Sequence, residues 1–108
     1  MKPEFFIALT TCPNNDIATQ LAQAVVEKQL AACVNIVPGI QSVYQWQGKI
    51  ENDSEFLLMM KTNRDKIESL QTYILEQHPY EITEFITLNI ESGSAAYLDW
   101  INSSLSNR

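Results

Sequence analysis

Residues 32–60 read ACVNIVPGIQSVYQWQGKIENDSEFLLMM, and the fold follows from this stretch. Ala32-Cys33-Val34-Asn35-Ile36-Val37 is apolar and β-branched, as a strand requires. Pro38-Gly39 would end most strands. Here strand character resumes at Ile40 and runs to Trp46, so the pair reads as a kink or bulge. Gln47-Gly48-Lys49 is a tight hairpin turn. Ile50 to Met60 is the return strand, with an acidic outer half and the apolar inner half Phe56-Leu57-Leu58-Met59-Met60. The result is a long, bent hairpin.

Working outward, Phe5 to Thr11 is a short apolar run that reads as a buried strand. Cys12-Pro13-Asn14-Asn15-Asp16 stops it, and Asn14 or Asn15 can cap a helix. Ile17, Leu21, Ala24 and Val25 then recur on one helical face. After the hairpin, Thr62-Asn63 caps a second helix with Ile67, Leu70 and Ile74 on its apolar face. Pro79 ends it and pushes His78 out of helical geometry. Ile82 to Ile90 alternates and predicts a half-buried strand, with Ile82, Ile86, Leu88 and Ile90 inward and Phe85 on the polar face. Gly93-Ser94 precedes a short closing helix carrying Tyr97, Leu98, Ile101 and Leu105.

The order β-α-β-β-α-β-α predicts an α+β fold of the ferredoxin-like, split β-α-β type, closed by a short C-terminal helix. Its sheet is antiparallel in the order 4-1-3-2. In that topology Cys12, at the end of the first strand, meets the segment His78 to Glu81 before the fourth. The hairpin turn points to the same end. Cys33 begins the second strand at the opposite end, which makes a Cys12–Cys33 disulfide implausible.

The chain of 108 residues is one domain, residues 1–108. Its 45% hydrophobic content excludes disorder, and its net charge of −6 argues against a nucleic-acid partner. No stretch approaches the roughly 20 apolar residues of a membrane helix, and Lys2 alone makes no basic leader, so the expectation is no membrane and a cytoplasmic setting. Two cysteines make no disulfide scaffold.

Enzyme templates fit poorly, and no catalytic activity is expected. One histidine cannot supply a Ser-His-Asp site beside any other role. There is no glycine-rich phosphate loop. A phosphate-binding arginine in the loop Thr11 to Asp16 is missing, since the only arginines are Arg64 and Arg108.

His78 is either a turn residue or a metal ligand. Cys12 is either a small core residue or, just before a helix N-terminus, the sulfur partner of His78. Cys33 reads as core. Glu51, Asp53 and Glu55 share one strand face, as a solvated surface or a weak divalent-cation patch. Ile40, Tyr44 and Trp46 share a face and suggest an exposed patch that another subunit covers. Trp100 reads as core or interface packing.

Seven segments in register carry a resemblance. They are Thr11-Cys12-Pro13-Asn14, Leu30-Ala31-Ala32-Cys33-Val34-Asn35, Pro38-Gly39 and Ser42 to Lys49, then Lys61-Thr62, His78-Pro79-Tyr80-Glu81 and Tyr97-Leu98-Asp99-Trp100-Ile101. Together they resemble the CutA divalent-cation tolerance family over about residues 5 to 101. The resemblance implies a homotrimer of ferredoxin-like subunits and a protein of copper and other divalent-metal tolerance that binds Cu(II). It maps His78 onto the family's His-Pro-Tyr motif. Thr10 stands where some bacterial members carry a copper-ligating Cys, and Gln77-His78-Pro79 stands where they have His-His-Pro. Cys12, two residues from Thr10 on the same strand face, is the candidate replacement sulfur. Two other readings remain. One is a signalling trimer like the PII proteins, binding a small anion or metabolite between subunits near Trp46, Lys61, Tyr80 and Glu81. The other is an assembly scaffold.

Overall fold

The computed structural model describes residues 4–106. Lys2 and Arg108 lie outside them. The chain runs β1 (Phe5–Cys12), α1 (Asn15–Glu27), β2 (Cys33–Trp46), β3 (Lys49–Asn63), α2 (Arg64–Gln77), β4 (Ile86–Asn89) and α3 (Ala95–Leu105). The four strands form one sheet in the order β2-β3-β1-β4, all antiparallel. This is the expected order and the expected fold.

Local chemistry explains the elements. Asn14 caps α1, its Oδ1 accepting from the Ile17 N–H at 2.9 Å. Ser94 caps α3 by accepting from the Tyr97 N–H at 3.2 Å. Asn63 sits at the N-cap of α2 but makes no cap bond with its side chain; its amide donates to Asn102 instead. The expected cap therefore ties α2 to α3. The hairpin turn has positive φ at both Gln47 (49°) and Gly48 (80°), the requirement of a type I′ turn. Trp46 pairs with Lys49 across it. At Pro38-Gly39 the ladder slips between Val37 and Ile40, and Gly39 takes φ 72°, so the bulge forms where expected.

The two faces of the sheet differ. On one, Ala8, Cys12, Leu58 and Met60 meet Leu21 and Val25 of α1 and Leu70 and Ile74 of α2, forming the main core. On the other, α3 covers only one end, setting Ile101 and Leu105 near Phe5 and Ala32. Cross-strand pairing places Ile7, Leu9, Leu57, Met59, Val37, Ile86 and Leu88 together on this second face. Ile86 and Leu88 remain about half exposed (50% and 52%).

The fourth strand is a correction. It spans only Ile86–Asn89, not Ile82 to Ile90. Phe85 packs against the main core, so the even-numbered apolar residues turn to the uncovered face. Carbonyls of alternate residues leave a strand on the same side. Phe5 uses its carbonyl to accept from Ile90, whereas Thr11, on the same side, accepts from His78. A longer β4 would need that acceptor. Residues 82–85 leave the ladder instead.

β2 and β3 outrun the helices. Fourteen strand residues span about 46 Å at ~3.3 Å each. That matches the 45 Å long axis of the molecule. The outer part of the hairpin is an arm projecting beyond the core.

Candidate functional site

His78 is the C-cap of α2 and is 8% exposed. Its Nε2 lies 2.7 Å from the Thr11 carbonyl. Its Nδ1 accepts from the Tyr80 N–H at 3.2 Å. A carbonyl only accepts and an N–H only donates, so the ring is the Nε2–H tautomer with both nitrogens committed. The structure thus brings His78 to the Thr11 carbonyl at the end of β1, as the topology required.

The chemistry of the pair does not fit a metal centre as folded. The His78 ring has no free lone pair. Cys12 is fully buried, and burial, reinforced by the Glu55 carboxylate, pushes its thiol from 9.0 up to about 11. A metal needs the thiolate and an open imidazole nitrogen. Among the described residues no three His, Cys, Asp or Glu side chains converge on a metal position. Thr10 and Gln77 supply none of these donors.

His78 has a second consequence. By holding the Tyr80 N–H it sets the backbone from which the Tyr80 hydroxyl donates to Glu55 Oε2 at 2.6 Å. The His78 and Tyr80 rings lie 4.7 Å apart, tilted by 54°. Glu55, expected on a solvated or cation-binding face, is only 6% exposed. The alternating pattern does not reveal this, because the loop after Pro79 folds over that strand. Burial and Glu55 together push the Tyr80 hydroxyl far above its ordinary value, with Asp53 adding to it. Tyr44 donates to Asp53, and that bond raises the Tyr44 hydroxyl to about 12.

Tyr44, Glu55 and Tyr80 line a cleft of about 480 Å³ between the arm and residues 80–84. Tyr44, Trp46 and Tyr80 form its aromatic walls, and Glu55, Glu81 and Glu84 its carboxylates. Trp46, Tyr80 and Glu81 were expected near one site, and the structure assembles them. Within one chain Lys61 stands apart from them: it pairs with Cys33 near the other end of the ladder and donates to Asn35. Ile82 and Glu84, which also line the cleft, belonged to the expected fourth strand and were missed with it.

Cys33 and Cys12 are both free and lie toward opposite ends of the sheet, opposite Lys61 and Phe56 respectively. Trp100 is 45% exposed and stacks on Tyr97 at 5.5 Å. No helix among the described residues is long and apolar enough to cross a membrane.

Comparison with known proteins adds identity to this geometry. The family profile described as CutA1 divalent ion tolerance protein matches residues 6–104. Protein CutA of Mus musculus is 50% identical over 88% of this chain, which spans 54% of that protein's length. The divalent-cation tolerance protein CutA of Thermus thermophilus is 43% identical, covering 88% of this chain and 92% of its own. CutA from Synechococcus elongatus, solved complexed with a Bis-Tris molecule, superposes with a TM-score of 0.89 at 41% identity, covering 96% of each chain.

Proposed function

The chain belongs to the CutA1 divalent ion tolerance protein family, and from that premise we propose that it works as a cytoplasmic homotrimer in divalent-cation tolerance, copper included. The apolar second face of the sheet carries this reading. Ile7, Leu9, Leu57 and Met59 line it, and α3 reaches only one end. An apolar sheet face of this extent needs covering, and copies of the same chain related by symmetry do so. The exposed edge of β2 and the projecting arm give the same argument a second surface. Two free thiols, far apart on the sheet, accord with a reducing compartment.

Because the Cys12–His78 pair has no open donor, metal contact in this reading is weak. It falls to carboxylates such as Glu51 and Asp53, with water completing the shell. Native mass spectrometry with and without Cu(II) tests it. The reading expects a trimer that takes up no discrete copper per chain, with Cys12→Ala and His78→Ala indistinguishable from the parent. Three coppers per trimer, lost in either variant, would restore the Cys12–His78 centre.

A second reading is favoured by the cleft. A cavity of about 480 Å³ lies in the range that encloses small organic ligands. The Bis-Tris complex of the Synechococcus relative supports a small-molecule site in this family. In a trimer the open side of the cleft would face a neighbouring copy. In this reading the protein signals by binding a small molecule there. A thermal-shift screen of the trimer tests it, since a native-state ligand raises stability by mass action. No stabilisation by any small molecule would favour the bare scaffold.

A further inference from the structure

We infer that α3 is a strap. It is clasped to the rest of the chain at two points, by Gln29 and Asn63, and opens as a unit while the sheet and the other two helices stay folded. Of its eleven residues only Ile101 and Leu105 are buried, in a small cluster with Ala32. That cluster is separate from the main core under α1 and α2. An element with few buried apolar contacts opens at lower free energy than the core. Polar side chains from the neighbouring helix ends hold it in place.

Gln29 is the first clasp. α1 ends in a Schellman motif, with the Gln29 N–H donating to the Val26 carbonyl at 3.0 Å and the Leu30 N–H to the Val25 carbonyl at 2.8 Å. The residue after the Lys28 cap takes φ 56°, where glycine is usual and unstrained. Glutamine has no local advantage at such a position. Its side chain supplies the reason for it. Nε2 donates to the Ser104 and Ser106 carbonyls at 3.2 and 3.3 Å. These lie at the C-terminal end of α3, where helix carbonyls lack partners of their own.

Asn63 is the second clasp. At an N-cap, asparagine ordinarily accepts from an N–H two or three residues on. Asn63 makes no such bond with α2. Its amide donates to Asn102 on α3 at 3.0 Å, and its own Oδ1 is left buried without a partner. Both residues thus forgo the arrangement that their own helix favours, and both side chains go to α3. Local rules broken together in this way mark a non-local demand. Every bond of the clasp lies within one chain, so closing the strap needs no neighbouring copy. Closed, α3 packs over Phe5 and Ala32; open, it uncovers them.

Peptide-resolved hydrogen exchange on the whole protein in its native assembly tests this. In the parent, the amides of α3 are expected to exchange together and about tenfold or more faster than those of β1 and β3. Gln29→Glu keeps the length of the side chain and loses the amide donors. Gln29→Gly removes the strain and the clasp together. Each should quicken α3 about fivefold, the net worth of one hydrogen bond, and leave β1 and β3 unchanged. Gln29→Gly should do so without quickening α1. Asn63→Ser keeps a capping side chain but cannot reach Asn102, and should quicken α3 by a similar factor while leaving α2 unchanged. If α3 of the parent exchanges as slowly as β1 and β3, it is part of the core and the inference fails. It fails equally if Gln29→Gly slows or does not change α3, or if the variants quicken the whole chain alike, since Gln29 and Asn63 are then ordinary end residues of their own helices.

Discussion

In the base of the β2–β3 ladder, Leu58 and Met60 are fully buried under two helices. In the arm of the same ladder, Val43 and Ile50 are 66% and 72% exposed. The hydrogen-bonded pairing continues without a break from the bulge to the turn. The difference therefore lies in what covers the strands, since the backbone is satisfied in both halves. The base draws its stability from packing within the chain. The arm has a paired backbone, a I′ turn and two tyrosine–carboxylate bonds, but little of the chain packs on it. A two-stranded ribbon on its own is marginal in water. Little within the chain therefore holds the arm, while its tip supplies one wall of the cleft.

The contrast can be broken at its strongest point. Leu58→Ala leaves a cavity under both helices and should cost about 3 kcal/mol in chemical denaturation. A loss below about 1 kcal/mol would mean that the base is not the stabilising half. His78→Ala acts where base and arm meet. It removes the donor to Thr11 and the acceptor for Tyr80, and should cost about 2 kcal/mol. It should also disorder the Tyr80–Glu55 contact, visible as a shifted Tyr80 ring resonance.

The thiol at the same junction sharpens the comparison through pH. Cys12 is 9.0 in its ordinary state and about 11 when folded, raised first by burial and then by Glu55. The folded value lies above the unfolded one, so the unfolded chain loses its proton first on raising pH. Stability is unaffected below pH 9 and falls as pH rises towards 11, by about 2 kcal/mol from this group. Tyr80 titrates in the same direction, so the comparison to make is with Cys12→Ala. That variant should lose about 2 kcal/mol less than the parent over this interval. Gly48→Ala is the smallest effect. At φ 80° a Cβ is strained although no atom crowds it, and the cost should be about 1 kcal/mol, confined to the arm. Amide exchange should quicken from Trp46 to Lys49 and stay unchanged in β1.

Most of the fold was legible because its punctuation is strong. Pro38-Gly39 marked the bulge, Gln47-Gly48 the turn, and the pair Asn14-Asn15 the first cap, which Asn14 makes. The approach of His78 to the end of β1 followed from topology alone. The failures share one cause, which is that period and composition do not say what lies over a strand. Ile82 to Ile90 alternates well, yet half of it leaves the ladder because His78 takes the Thr11 carbonyl. Glu55 reads as a surface residue until the loop at Tyr80 closes on it. The donor capacity of His78 was equally hidden, since it depends on two backbone groups that only the folded chain brings together.

The account rests centrally on copies of the chain covering the second sheet face. Sedimentation equilibrium of the parent protein beside Met59→Asp tests this most directly. Met59 lies on that face between Leu9 and Asn35, half-buried in the single chain. Three chains of 12.3 kDa give about 37 kDa, and the parent should sediment at that mass at micromolar concentration. Met59→Asp should sediment as a monomer or weak oligomer while keeping its far-ultraviolet circular dichroism. A parent protein that is monomeric, or a variant that remains fully trimeric, would contradict the account.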